Sequence, residues 1–274
     1  MTKGDNRAAE AIGRLLHIMA RLRDPGEGCP WDLAQDWASL APHTLEEAFE
    51  VVEAAESGDE AHLADELGDL LFQVVFYARI AEEEGAFSFA EVATAIADKL
   101  ERRHPHVFGA EAVRDADHQT RRWEAIKAAE RESKGAEGAL EGVNRGLPAL
   151  SRAQKLQRRA ARVGFDWEEV SGVVAKVREE LVELEAEMAD GEVERLRAEV
   201  GDLLFSCVNL ARHLEVDAEA ALRQANRRFE RRFRAMERIL AERGRDIAEA
   251  GMAEMDAAWE EAKRREGPGE APGN

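Results

Sequence analysis

The sequence predicts an all-α protein built as a tandem repeat of two helical-bundle domains. Three observations carry that prediction. Apolar residues recur with a helical period almost throughout, and no stretch shows the sustained alternation of a strand. Ala, Glu, Leu and Arg dominate while Val, Ile and Thr are sparse, a composition of good helix formers. Finally, one set of acidic residues occurs twice with the same internal spacing, and each copy is followed by the same phrases in the same order.

The repeat is read directly. Glu180, Glu183, Glu199 and Asp202 are separated by three, sixteen and three residues, and Glu47, Glu50, Glu66 and Asp69 repeat those gaps. Gly68-Asp69-Leu70-Leu71-Phe72 recurs as Gly201-Asp202-Leu203-Leu204-Phe205. Downstream, Lys99 to Arg103 pairs with Arg228 to Arg232, and Trp123 to Lys127 pairs with Trp259 to Lys263. A period of about half the chain means two copies of a domain rather than a solenoid. Turn signals cut the helical pattern at Asp24-Pro25-Gly26, Ser57-Gly58, Gly85, His104-Pro105, Gly164, Asp190-Gly191, Gly244 and Gly251. The Gly-rich stretch before Pro148 is the natural linker, because proline suits the first turn of a new helix. The expected organisation is a first domain over 1–134, a linker over 135–147, a second domain over 148–266 and a disordered Gly/Pro-rich tail over 267–274.

Composition removes several function classes. Of 274 residues, 45% are hydrophobic and 35% charged, enough for a core beneath an ionic surface. The formal net charge of −19 repels nucleic-acid backbones and anionic membranes, so neither is an expected partner, and a polyanionic ligand needs a local basic cluster or a cation. No apolar run is long enough to span a bilayer. The residues from Met1 to Glu10 carry no signal-peptide apolar region, and the two cysteines, Cys29 and Cys207, make no metal or disulfide motif. A reduced, cytoplasmic protein is expected.

The repeated acids point to a metal. Residues three apart lie on one helix face, so Glu180 and Glu183 aim at one point, as do Glu199 and Asp202 on the following helix. A turn at Asp190-Gly191 would bring the two pairs together. Four carboxylates in one place stay ionised only around a cation, and hard oxygen donors select Mg²⁺, Mn²⁺ or Ca²⁺ over zinc. A solvated acidic face is the competing reading for one such motif. The duplicated spacing argues against it, as does the apolar surround of the second pair (Val200, Leu203, Leu204, Cys207, Val208, Leu210 and Ala211), which makes that helix read as buried. A di-iron bundle would need an ExxH motif on each of two helices; only Glu101 with His104 offers one, and Phe233 stands where the second His would fall. Arg228, Arg231 and Arg232 on the next helix suit phosphate oxygens. Lys176 and Arg195 each lie four residues before a proposed ligand, on its face. Trp259 suits either stacking on a base or anchoring the last helix; Trp31, Trp37 and Trp167 read as packing residues.

Glu179-Glu180-Leu181-Val182-Glu183 followed by Glu199 to Asp202 resembles the signature of the all-α nucleoside triphosphate pyrophosphatases. The wider text resembles the two-domain MazG family: Cys29-Pro30-Trp31-Asp32, Glu66 to Phe72, His104 to Gly109 and Val163-Gly164-Phe165-Asp166-Trp167. That resemblance implies two MazG-like bundles and a homodimer. It implies Mg²⁺-dependent hydrolysis of nucleoside triphosphates between the α and β phosphates to a monophosphate and pyrophosphate, with Mn²⁺ a possible substitute. It further implies that Glu180, Glu183, Glu199 and Asp202 bind magnesium, with Glu47, Glu50, Glu66 and Asp69 equivalent. Lys176, Arg195, Arg228 and Arg232 would hold phosphates and Trp259 would contact the nucleotide. Glu179 or Glu180 is the expected proton acceptor. The first half has His43 and His62 opposite Lys176 and Arg195, so the second domain is expected to be the better catalyst. The alternatives are a catalytically silent dimeric scaffold or nucleotide sensor, and a nucleic-acid binder using Arg227 to Arg234, against which the net charge counts.

Overall fold

The structure is a computed structural model, and it describes residues 3–109 and 138–266. The described residues form helices joined by turns and no strand, as the periodicity predicts. The chain divides into two compact units, Met1–Lys127 and Ala128–Asn274. That division falls ahead of the expected linker, whose described part, 138–147, runs through turns and bends. The Trp123 to Lys127 phrase and the 267–274 tail lie outside the described residues. No helix among the described residues is long and apolar enough to cross a membrane.

Unit 1 contains α1 (Lys3–Leu22), a short α2 (Pro30–Leu33), α3 (Trp37–Ser57), α4 (Glu60–Glu83), α5 (Phe89–Arg103) and a short α6 (Pro105–Phe108). Helices α3 and α4 form the predicted hairpin. Helix α3 begins with a reciprocal cap: Asp36 Oδ1 accepts from Ser39 N at 2.8 Å and Ser39 Oγ accepts from Asp36 N at 2.9 Å. It ends at Gly58, whose φ of 73° only glycine takes without strain. Asp59 then caps α4 by accepting from Ala61 N and His62 N. Met19, Leu40, Val75, Phe76 and Ile80 form the core between α1 and this hairpin. A buried Arg23 ties the segment before α3 to α4. Its guanidinium binds Glu83, with the closest contact at 2.8 Å, donates to the carbonyls of Asp32 and Gln35, and lies over the Phe76 ring.

Unit 2 contains α7 (Ala149–Arg162), α8 (Val170–Asp190), α9 (Val193–His213), α10 (Ala218–Glu242) and α11 (Met252–Glu266). Pro148 stands at the cap of α7, one position ahead of the first turn. Helices α8 and α9 form the second hairpin, but its turn works differently. Gly191 has a φ of −77°, and its amide donates to Glu187 O at 2.6 Å. An added Cβ there would stand 2.2 Å from Glu187 O, so close approach rather than handedness demands glycine. Buried Gln154 and Gln157 of α7 donate to Val216 O and Phe205 O, docking α7 on the hairpin. Met236, Ile239, Leu240, Ala250, Ala258 and Ala262 form a second core between α10 and α11.

Two expectations are corrected. Helix α9 is not buried within its own unit: Val208 is, but Val200, Leu204, Phe205 and Cys207 are exposed. Nor are Trp31, Trp37 and Trp167 interior residues, since each stays roughly half exposed. Periodicity identifies an apolar stripe without saying what covers it.

Asp166 closes the open end of the second hairpin. Arg212 of α9 grips its carboxylate with both terminal nitrogens, and His213 Nε2 lies 2.9 Å away. The Arg212 guanidinium, helped by His213, holds the carboxyl down to about 2 against an ordinary 3.8. A lowered folded value stabilises the fold above the ordinary one and is lost as pH falls through it. Asp166→Asn should therefore cost about 1–2 kcal/mol at pH 7, allowing for solvent screening. Thermal melts should show that deficit shrinking below pH 3.8 and closing near pH 2; a deficit independent of pH would refute the ion-pair account.

Candidate metal and nucleotide site

The unit 2 hairpin gathers carboxylates from two directions. Ligand oxygens of Glu180, Glu199 and Asp202 lie within 4.8 Å of one another. Glu180 is 5% exposed, Glu199 is half-buried and Asp202 is open. Glu183 stands outside that tight group, yet its charge is the foremost of those acting on Glu199. In unit 1 the same construction brings Glu47, Glu66 and Asp69 within 4.8 Å of one another, with Glu50 beside Glu47. The sixteen-residue gap works because each hairpin reverses in two residues, so both carboxylate pairs sit equally far from the turn.

Electrostatic stress marks both clusters. Partial burial, then the charges of Glu183, Asp202, Glu180 and Glu187, raise the Glu199 carboxyl above its ordinary 4.5. Partial burial, then Asp69, Glu50 and Glu66, raise Glu47 in the same way. An all-carboxylate donor set under mutual repulsion fits a hard divalent cation, which would relieve that repulsion. Softer metals would be expected to draw nitrogen or sulfur ligands, and neither cluster contains any.

Lys176 joins the acids as its spacing predicts. Its Nζ lies 2.7 Å from Glu179 Oε1 and 2.9 Å from Glu180 Oε1. Glu179 thus belongs to the lysine rather than to the carboxylate group. Arg195 is exposed and lies 3.9 Å from Glu187. Arg232 and Arg231 bind Glu266 at the end of α11, at 2.7 and 2.8 Å, and Arg228 stands exposed one turn before Arg232. Trp259 is half-buried against the α10–α11 core, with its ring 5.4 Å from that of Phe229. The structure therefore gathers Glu180, Glu199, Asp202 and Lys176, holds Arg231 and Arg232 on Glu266 and Trp259 on the α10–α11 core, and leaves Arg228 exposed. In unit 1, His62 Nε2 lies 2.9 Å from Glu66, while His43 turns towards Glu46 and the Trp31 ring.

One site residue escaped the sequence reading. Glu187 is a fourth carboxylate acting on Glu199, after Glu183, Asp202 and Glu180. It lies four residues after Glu183 on the same face, a signal available in the sequence; the repeat places the buried Ala54 opposite it in unit 1.

Comparison with known proteins agrees with the duplicated architecture. The model of the MazG nucleotide pyrophosphohydrolase domain matches twice, at residues 35–108 and 168–236. A nucleoside triphosphate pyrophosphohydrolase of Escherichia coli (strain K12) is 52% identical over 257 residues, which are 93% of this chain and 98% of that protein. A Thermotoga maritima protein named nucleoside triphosphate pyrophosphohydrolase/pyrophosphatase MazG is 44% identical over 249 residues, 91% of this chain and 94% of its own.

The raised Glu199 carboxyl yields a test that needs no substrate. An acid raised on folding penalises the fold once it ionises, so metal-free protein loses stability as pH rises through 4.5 and the higher folded value. Glu199→Gln removes that penalty. At pH 7 without metal its melting temperature should exceed that of the wild type, whereas the rise produced by Mg²⁺ should largely disappear. A variant that melts lower without metal, or keeps the full magnesium response, would contradict this picture.

Proposed function

The chain belongs to the MazG nucleotide pyrophosphohydrolase family, and on that premise we propose that it hydrolyses nucleoside triphosphates and their deoxy forms between the α and β phosphates. Water forms the new bond to the α phosphorus, the bond from that phosphorus to the bridging oxygen breaks, and pyrophosphate leaves a nucleoside monophosphate. The observation that carries this reading is the carboxylate cluster of Glu180, Glu199 and Asp202 with Lys176 beside it. The pairing of a concentrated negative site with an adjacent ammonium suits a cation–polyphosphate complex.

In this reading Glu180, Glu183, Glu199 and Asp202 hold Mg²⁺, or Mn²⁺ in its place, and Glu47, Glu50, Glu66 and Asp69 do so in unit 1. A divalent cation there would neutralise triphosphate charge and polarise the phosphorus under attack. Lys176 is within reach of a phosphate once it lets go of Glu179. Arg195, Arg228 and Arg232 supply further phosphate contacts, Arg232 by exchanging Glu266 for an anion of higher charge. Trp259 borders the nucleotide from α11. The proton of the attacking water passes to a carboxylate of the Glu179–Glu180 pair.

The domain assignment 1–134 and 148–266, joined by 135–147, stands as a proposal, as does a cytoplasmic homodimer. Both described cysteines are free, which suits a reducing compartment. Each hairpin leaves an apolar face uncovered beside its carboxylates: Leu45, Phe49 and Leu67 in unit 1, Leu181, Val182 and Leu204 in unit 2. Exposed apolar side chains in such number favour a partner surface.

Unit 2 is proposed as the main catalytic unit. Purified protein with Mg²⁺ and each nucleoside triphosphate should release monophosphate and pyrophosphate in equal amounts, and EDTA should abolish the reaction. Glu180→Gln should lower kcat/KM on the order of 100-fold or more, the scale of metal-site perturbations, and Glu47→Gln far less. Diphosphate with orthophosphate as products would indicate a different phosphohydrolase, and equal losses in the two variants would overturn the assignment of units.

A further inference from the structure

The exposed tryptophans ahead of the hairpins recur in a related place. In unit 2, Trp167 lies flush on Gly172: an added Cβ at that glycine would stand 2.4 Å from the indole Cδ1. Gly172, Lys176 and Glu180 follow one another at four-residue intervals and so share a face of α8. At 1.5 Å of rise per residue, Lys176 is about 6 Å and Glu180 about 12 Å along the axis from the indole's seat. In unit 1, Trp31 sits 6.0 Å from the ring of His43, the repeat counterpart of Lys176, one turn ahead of Glu47. A loop in unit 2 and the short α2 in unit 1 thus each deliver an indole to the first hairpin helix, just N-terminal to the acidic cluster.

Neither indole is sequestered: Trp167 is 42% and Trp31 52% exposed. Both are nevertheless held. Asp166, the residue before Trp167, is clamped by Arg212 and His213. The segment carrying Trp31 is tied down by Arg23 through the carbonyls of Asp32 and Gln35. A large aromatic surface kept in the open by a rigid mount is costly unless something covers it, and here it stands in line with a lysine and a carboxylate cluster.

We propose that Trp167 is the platform on which the nucleobase of the substrate stacks, and that Trp31 is its counterpart in unit 1. This rests on the pyrophosphohydrolase reading and adds the base to it. With the phosphates at Lys176 and the carboxylates, the ribose and base extend back along α8 by one to two turns, which ends at the indole. Every base has a π-face, so stacking accepts all of them and favours the larger rings. Trp259, packed on Phe229, has less of its ring to offer.

The test separates the base from the phosphates. Trp167→Ala should raise KM for ATP and GTP about 30-fold, the middle of the range for losing one base–aromatic stack. Its kcat should change little, and the inhibition constant of pyrophosphate, which has no base, should stay at the wild-type value. Trp167→Phe should keep most of the affinity. Gly172→Ala leaves the indole in place chemically but occupies its seat with a methyl group, and should raise KM in the same direction although alanine favours the helix. An unchanged KM in Trp167→Ala overturns the platform, as does a weakening of pyrophosphate inhibition equal to the rise in KM. Wild-type protein that releases no pyrophosphate from any nucleotide would instead overturn the hydrolase reading on which the proposal stands.

Discussion

The repulsion among carboxylates that each hairpin forces together is the constraint to which the rest of the structure answers. Folding places three of them within one ligand sphere in each unit and raises the acid that feels the others most, Glu199 in unit 2 and Glu47 in unit 1. Such a site is a local instability that the surrounding helices must outweigh. They do so with rigid closures at both ends of the hairpin. At one end stand the two-residue turns at Gly58-Asp59 and Gly191-Glu192. At the other, buried Arg23 in unit 1 and the Asp166–Arg212 pair in unit 2 fasten the preceding segment to the hairpin. The charge is concentrated because the hairpin is fastened at both ends, an arrangement that suits the preorganisation a cation site needs.

The same hairpins are incomplete as hydrophobic objects. Their inner faces meet α1 or α7, and their outer faces leave leucine, valine and phenylalanine in water next to the acids. A surface that joins uncovered apolar side chains to a charged cluster is poorly suited to an isolated unit. Burial of that face against a second hairpin would also lower the dielectric around the carboxylates. Their need for a cation and the strength of its binding would then rise together. Any association through that face would thus be coupled to cation binding.

Much of the site was legible because its information is periodic. Gaps of three place two acids on one helix face, and a gap of sixteen across a turn signal places two such faces opposite each other. The duplicated spacing then separates design from an acidic surface. Lys176 was legible for the same reason, being one turn from Glu180. What periodicity could not supply was long-range company. The stripe on α9 read as interior but is half uncovered within its unit; Trp167 read as packing yet presents its ring to solvent. Arg232 read as a phosphate ligand, but a carboxylate thirty-four residues away holds it in this state. Glu187 was overlooked although its spacing from Glu183 is helical, because its counterpart Ala54 made it fall outside the repeat.

That exception indicates how the two units diverged. Where unit 2 has Lys176, Arg195 and Glu187, unit 1 has His43, His62 and Ala54. The three differences surround the shared carboxylates and leave the carboxylates themselves unchanged, although Lys176 contacts Glu180 and His62 contacts Glu66. Unit 1 thus keeps the groups suited to a cation while replacing two permanent positive charges with imidazoles and giving up one negative charge. A triphosphate complex brings more negative charge than a bare cation does, so absence of the lysine and arginine would weaken polyphosphate binding more than cation binding. Ala54 is completely buried, so the position that carries a charge in unit 2 serves packing in unit 1. The exchange at this position trades a charge beside the carboxylates for packing.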